Sequence, residues 1–419
     1  MSRRVFITGV GVVAPGGVGR DAFWDLLTQG RTATRRLSLC DPEPFRSQVA
    51  AEVDFRAEAA GLTEQQSVEL DRAAQFALVA AREAVEDAGW RDTCPPGRAG
   101  VVVGSAVGAT TKLEEVYRQL SADGSLWDVI PDSPAQLYSY FVPSSFAAGI
   151  AREFGVTGQS GVVSTGCTSG IDAVGNAWEL IQDGVLDSVV CGATDAPISP
   201  ITVACFDAIK ATSTFNDTPE TASRPFDATR GGFVLGEGSA MFVLESEESV
   251  LRRGARVYGE IKGYASRCNA YHMTGLKADG RELGQAVTAA LTQARMDPGE
   301  LDYVNAHGSG TKQNDRHETA ALKASLGAAA RHVPISSIKS MVGHSLGAIG
   351  SLEIAACALA LRYDVIPPTA NLTRPDPELD LDYVPVHARE QQTDGILTTG
   401  SGFGGFQSAM VLADPEKRS

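Results

Sequence analysis

The stretch Gly161-Val-Val-Ser-Thr-Gly-Cys167-Thr-Ser-Gly170 joins an apolar run to a segment patterned as a helix. In that helix, over Ser169 to Gln182, Ile171, Val174, Trp178 and Ile181 recur at three- and four-residue steps and form one apolar stripe. A second stretch follows the same plan. Ile335-Ser-Ser-Ile-Lys-Ser-Met-Val-Gly-His344-Ser-Leu-Gly347 runs into a segment, Leu346 to Leu361, that is apolar on nearly every side and predicts a deeply buried helix. Phe242-Val-Leu closes the first part and Met410-Val-Leu the second. The echo predicts two similar halves, residues 1–255 and 256–419, with Cys167 and His344 at equivalent helix starts across a pseudo-twofold axis.

Outward from these junctions, short apolar runs alternate with helix-patterned segments, which predicts an α/β architecture. Strands are expected at Val5 to Gly9, Ala99 to Val103, Ser188 to Cys191, Ala240 to Leu244, Tyr303 to Ala306 and Ile396 to Thr399. Further helices are expected at Asp21 to Thr28, Asp71 to Ala88 and Glu318 to Ala324. Two polar segments, Ala211 to Gly232 and Ser121 to Tyr140, are too long for plain connectors and are expected to cover the active site or meet a neighbouring subunit.

Composition narrows the function. With 43% hydrophobic and 21% charged residues, the chain reads as an ordinary soluble globular protein. A net charge of -15 argues against a general nucleic-acid or anionic-membrane binder. No run of 18 apolar residues is present, and the interrupted Val5 to Val13 segment reads as a buried first strand rather than a leader. Seven scattered cysteines form no C-x-x-C pair and no zinc-type cluster, which suits a reducing cytoplasm. Gly9-x-Gly11 lacks the third glycine of a dinucleotide loop.

A thiol between two glycines at a strand-to-helix junction faces backbone N–H groups without intrahelical partners, and the helix dipole would favour its thiolate. The plain alternative is a small buried cysteine. Three other segments weigh against it. Asn305-Ala-His307-Gly-Ser309-Gly-Thr311 ends an apolar run in a histidine, followed by hydroxyls that either bind an amide-rich substrate arm or stabilise a turn. Lys339-Ser-Met-Val-Gly-His344 holds a second histidine beside a lysine in an apolar context, where an unpaired ammonium is costly. Lys339 is expected to meet Asp315 or Glu318; these two acids also read as a helix N-terminal charge pair. Thr399-Gly-Ser-Gly402-Phe403-Gly404-Gly405 could aim backbone N–H groups at an oxyanion, form a glycine hairpin, or let Phe403 swing as a gate.

Together the Cys167, HGSGT, KSMVGH and GFGG segments resemble, in order and spacing, the β-ketoacyl synthase branch of the thiolase-fold enzymes. The resemblance spans Ile7-Thr-Gly-Val-Gly to Gly402-Phe-Gly-Gly-Phe-Gln-Ser-Ala; Ser309 stands where many relatives carry Thr and keeps the hydroxyl. Ser164-Thr-Gly-Cys-Thr-Ser-Gly, Arg267-Cys-Asn-Ala-Tyr-His-Met-Thr-Gly-Leu-Lys-Ala-Asp and Asn314-Asp-Arg-His-Glu-Thr are similar to the ketosynthase alpha subunit of bacterial type II aromatic polyketide synthases.

That resemblance implies a duplicated thiolase-like fold layered α-β-α-β-α. It implies decarboxylative Claisen condensation of malonyl carrier protein with an acyl chain on Cys167, iterated to a poly-β-ketone. His307 and His344 would stabilise the enolate, Phe403 and Cys167 N–H the oxyanion, and Lys339, Asp315 and Glu318 would place the histidines. Ser309, Thr311, Gly402 and Gly404 would bind the substrate. Substrates would ride on the phosphopantetheine of an acyl carrier protein, with no metal or redox cofactor, and the chain would pair with a chain-length factor lacking the cysteine. The rival readings are a fatty-acid β-ketoacyl-acyl carrier protein synthase, a thiolase, a non-catalytic tunnel-shaping subunit and a cysteine hydrolase.

Overall fold

In the computed structural model, which describes residues 3–126 and 135–416, one mixed sheet carries the same strand order twice. The first half supplies β1 (Val5–Ala14), β2 (Ala99–Gly104), β3 (Ser160–Val163), β4 (Ser188–Asp195) and β5 (Gly238–Ser246). The second supplies β6 (Gly259–Cys268), β7 (Tyr303–Asn305), β8 (Ile335–Ser336), β9 (Gly395–Ser401) and β10 (Phe406–Ala413). Their order is β3-β2-β4-β5-β1 in one half and β8-β7-β9-β10-β6 in the other, the same permutation displaced by five strands. The halves meet where β1 pairs antiparallel with β6, Phe6 opposite Glu260 and Ile7 opposite Gly259.

Strands buried on both faces separate three cores, which gives the five layers. Outside the first half, α1 (Arg72–Ala88) packs Phe76, Ala80 and Ala84 against Val101, Val103 and Val243. Between the halves lie α2 (Ser169–Gln182) and α5 (Ile349–Tyr363), clustered with Val102, Phe242, Tyr264 and Met410. Outside the second half, α3 (Arg281–Ala294) and α4 (Lys312–Leu326) cover Val304, Leu397 and Val411. Val101, Val102 and Val103 thus alternate between two cores, as period-two geometry requires. The layered, duplicated fold that the family resemblance implies is what the chain adopts.

The central helices come close because glycine removes a side chain where they cross. A Cβ on Gly170 would stand 2.4 Å from the Ser351 nitrogen. Gly9 and Gly11 have the same cause: a Cβ there would meet Ala84 O at 2.1 Å and Ala80 O at 2.0 Å, so the pair lets α1 rest on β1. The Leu346–Tyr363 span is long and apolar enough to cross a membrane by length and composition. Here it is a core element, with every residue from Ile349 to Leu361 buried.

Several elements differ from the sequence reading. α4 begins six residues before Glu318 because Thr311 caps it, Oγ1 accepting the Asn314 N–H at 3.2 Å. β6 carries Glu260 and Lys262 within a strand, which hides the alternation; Glu260 is satisfied by two hydrogen bonds from Arg4. Helices Thr110–Leu120, Ser144–Phe154 and α3 lie outside the predicted set. Of the expected cover Ser121 to Tyr140, residues 127–134 lie outside the described residues.

Candidate active site

Cys167 sits where the echo places it. β3 ends at Val163, a 3-10 turn over Gly166–Thr168 follows, and α2 begins at Ser169. His344 follows β8 and the short helix Lys339–Val342, two residues ahead of a 3-10 turn at Leu346–Ala348 that enters α5. It stands five residues before its helix where Cys167 stands two before α2, so the two are near but not equivalent positions. Gly166 has φ +61, and a Cβ there would stand 3.2 Å from Phe403 O, so the turn and the glycine loop touch through backbone.

The thiol is not the depressed one that the helix dipole predicts. Burial pushes Cys167 up to about 11, and Lys339 together with the Phe403 N–H pulls only partly the other way. The sulfur lies within a 3-10 turn in a poorly solvated cavity, where losing water outweighs nearby partial charges.

His307 follows β7 and its ring meets His344 edge-on, centroids 5.3 Å apart. Burial holds both rings well below the ordinary imidazole value, with the Lys339 ammonium adding to the effect. Both are therefore neutral near pH 7. His344 Nδ1 accepts the Leu346 N–H at 3.2 Å, which assigns its hydrogen to Nε2.

Lys339 does not meet Asp315 or Glu318. Its ammonium pairs with Glu353 of α5 and donates to the His307 carbonyl. Burial drives Glu353 up to about 7, with Lys339 opposing. Glu318 accepts the N–H groups of His307 and Gly308, both at 2.7 Å, and the Thr399 hydroxyl. Asp315 faces Arg230 at 3.2 Å and accepts the Phe226 N–H; burial raises it to about 6. Glu318 thus fixes the His307 turn, and Asp315 anchors the 226–230 segment. Their helix start faces inward, whereas Lys339 lies under α5.

In the glycine loop, one N–H is left for chemistry. Gly402 donates to Phe406 O at 2.7 Å, Gly404 to Met273 O at 2.6 Å, and Gly405 to Gly402 O at 3.2 Å. The Phe403 N–H is the one directed at the Cys167 sulfur. Gly402 borders the cavity, whereas Gly404 does not, because its N–H is turned outward to the 273 carbonyl.

A cavity of about 500 Å³ is lined by Cys167, His307, His344, Ser309, Thr311, Gly402 and Phe403. Ser309 and Thr311 hydroxyls bond each other at 3.0 Å on its wall. The Beta-ketoacyl synthase N-terminal domain model matches residues 2–249, and the C-terminal domain model matches residues 258–373. This chain belongs to the β-ketoacyl synthase family.

The synthase is 62% identical, over 99% of its length and 98% of the relative's, to the tetracenomycin polyketide synthase ketoacyl synthase alpha subunit of Streptomyces glaucescens. It is 38% identical, over 98% of each chain, to the 3-oxoacyl-[acyl-carrier-protein] synthase 2 of a Synechocystis species. Among solved structures it is similar to a type II polyketide acyl-carrier protein in complex with its ketosynthase bound to the hexaketide, with TM-score 0.92 and 36% identity over 99% of each chain. It is also similar to the ishigamide ketosynthase/chain length factor, with TM-score 0.90 and 33% identity over 99% of each chain. The expected kinship with type II ketosynthase alpha subunits therefore holds. Enzymes of this family form carbon–carbon bonds by Claisen condensation.

Sequence reasoning missed several residues of the synthase site. Glu353 is the lone acid in an otherwise apolar helix, which is a signal in itself. Arg230, Gly231 and Gly232 end the long 211–232 segment, Phe233 follows it, and all four line the cavity, as a covering loop would. Phe233 meets the His344 ring edge-on at 5.1 Å, and Phe206 stands 6.4 Å from Phe403. Asp195, at the end of β4, accepts the Gly347 N–H at 2.7 Å and the Ser105 hydroxyl at 2.7 Å, fixing the turn after His344.

Proposed function

We propose that this synthase builds a poly-β-ketone for an aromatic polyketide, extending a Cys167-bound acyl chain with malonyl units delivered by an acyl carrier protein. One observation carries the reading: Cys167, two neutral histidines and the Phe403 N–H directed at the sulfur border one cavity. Cys167 Sγ attacks the carrier-bound thioester carbonyl; its proton leaves with the carrier thiol as the new S–C bond forms. The N–H groups of Cys167 and Phe403 donate to the oxyanion, worth about 3 kcal/mol each in comparable sites. Malonyl carrier protein then enters past Ser309 and Thr311. As the C–CO2 bond breaks, its electron pair forms an enolate whose oxygen accepts hydrogen bonds from His344 Nε2 and His307. The enolate carbon attacks the acyl-Cys carbonyl and releases the thiolate.

Neutral imidazoles suit this step, since a ring already charged would bind the malonyl carboxylate and hold it back. Lys339, joined to the His307 carbonyl, and Glu318, on the N–H groups beside it, hold that ring in place. Decarboxylation supplies the drive, so the reading calls for no resident metal or redox cofactor. In it, residues 1–255 supply the nucleophile and residues 256–419 supply both histidines and the glycine loop.

The partner in this reading is a chain-length factor, forming a heterodimer. The edge strand β3 is only partly covered, and Tyr138 and Phe141 are 73% and 69% exposed, features of the first half that support a protein contact on it. β3 leads directly to Cys167, so a partner on that edge would wall the growing chain. The compartment would be the cytoplasm, a reading that seven unpaired cysteines support.

The test is reconstitution with a chain-length-factor subunit and malonyl carrier protein, followed by product mass. A poly-β-ketone is expected. Extension of saturated fatty acyl chains without a partner would instead mark a fatty-acid synthase.

A further inference from the structure

Beneath the nucleophile lies a carboxylate that this chemistry does not use. Asp172, in the first turn of α2, is 2% exposed and has no basic partner within ion-pair reach among the described residues. It is satisfied by four hydroxyls. Its Oδ2 accepts from Thr165 at 2.5 Å and Thr168 at 2.8 Å, the residues flanking the Cys167 turn. Its Oδ1 accepts from Tyr264 of β6 at 2.9 Å and Ser408 of β10 at 2.5 Å. One carboxylate oxygen thus holds each half of the molecule. Hydrogen bonds to an ionised acceptor are short and strong, and a buried carboxylate deprived of them is costly.

β10 emerges directly from the Gly402–Gly405 loop, with Ser408 three residues beyond it. We propose that Asp172 is a positioning residue for the condensation: it sets the spacing of the two oxyanion donors, Cys167 N–H on one side and Phe403 N–H on the other. The inference rests on the function proposed above. Asparagine keeps the shape but offers one acceptor oxygen, so either the Thr165–Thr168 pair or the Tyr264–Ser408 pair is released.

The experiment compares two reactions of the same sulfur in the purified complex. Acyl transfer from an acyl carrier protein thioester, followed by intact mass, needs the oxyanion donors. Alkylation by iodoacetamide displaces iodide from a saturated carbon and develops no oxyanion. For Asp172→Asn, acyl transfer should fall about 10- to 100-fold; alkylation, for which the displaced Phe403 N–H is only a partial aid to the thiolate, should slow far less, by no more than about threefold. Ser408→Ala and Tyr264→Phe, which each remove one donor, should show the same split with a smaller loss. They decide the matter should Asp172→Asn fail to fold. Unimpaired acyl transfer, or equal losses in both reactions, overturns the inference. A wild-type protein that takes no acyl group overturns the proposed function, and the inference with it.

Discussion

Cys167 keeps its proton at neutral pH, since burial raises the thiol to about 11 and neither Lys339 nor the Phe403 N–H fully offsets it. The reactive species is the thiolate, whose fraction grows as pH rises toward that value. Alkylation of Cys167 should therefore quicken about tenfold per pH unit from 7 to 9 with no plateau near neutrality. Lys339→Met removes a cation that favours the thiolate and should move the profile to higher pH. Rates of iodoacetamide labelling would show both, and a plateau near pH 7 would contradict them. His344→Ala removes one of the two proposed enolate donors. Release of CO2 from malonyl carrier protein should fall about 100- to 1,000-fold, whereas acylation of Cys167 persists. Cys167, His307, His344 and Phe403 were legible one by one, because glycine-flanked reactive side chains at element ends are a local pattern. The raised thiol was not, since solvation depends on what covers the sulfur.

α5 illustrates the same division for elements. Its apolar composition predicts burial, and its one carboxylate, Glu353, is the group that meets the Lys339 ammonium. Glu353→Leu should strand that cation and cost about 3–5 kcal/mol in urea unfolding, while Glu353→Gln, which keeps an acceptor, should cost less. The packing of α2 on α5 gives a second test: Gly170→Ala puts a methyl 2.4 Å from the Ser351 nitrogen and should cost about 1–3 kcal/mol. Helices α1, α2 and α5 and strands β1, β2, β4, β5, β7 and β9 were readable from alternation and spacing. β6 was not, because its Glu260 finds its partner in Arg4, 256 residues away in sequence. The early start of α4 turned on a single cap, Thr311, that also reads as a substrate-binding hydroxyl.

At the scale of the molecule, the repeated strand order turns two ordinary α/β units into one site. Each half brings a helix start to the centre, and the cavity forms where β3, β7 and the β9–β10 loop converge. The exposed Tyr138 and Phe141 belong to the proposed heterodimer contact. Tyr138→Asp combined with Phe141→Asp should weaken association with a chain-length-factor subunit at least about tenfold in sedimentation experiments, each lost aromatic anchor being worth roughly 1–2 kcal/mol. Alkylation of Cys167 should be unaffected. Hydrophobic period, glycine placement and motif order are properties of the chain taken locally, and they were enough to point to the duplicated architecture, Cys167, the two histidines and the glycine loop. Tertiary structure alone decided that Lys339 joins Glu353, that Asp315 joins Arg230, and that Asp172 holds both halves. Such pairings are set by which buried groups desolvate together when distant segments pack, and no local pattern encodes that.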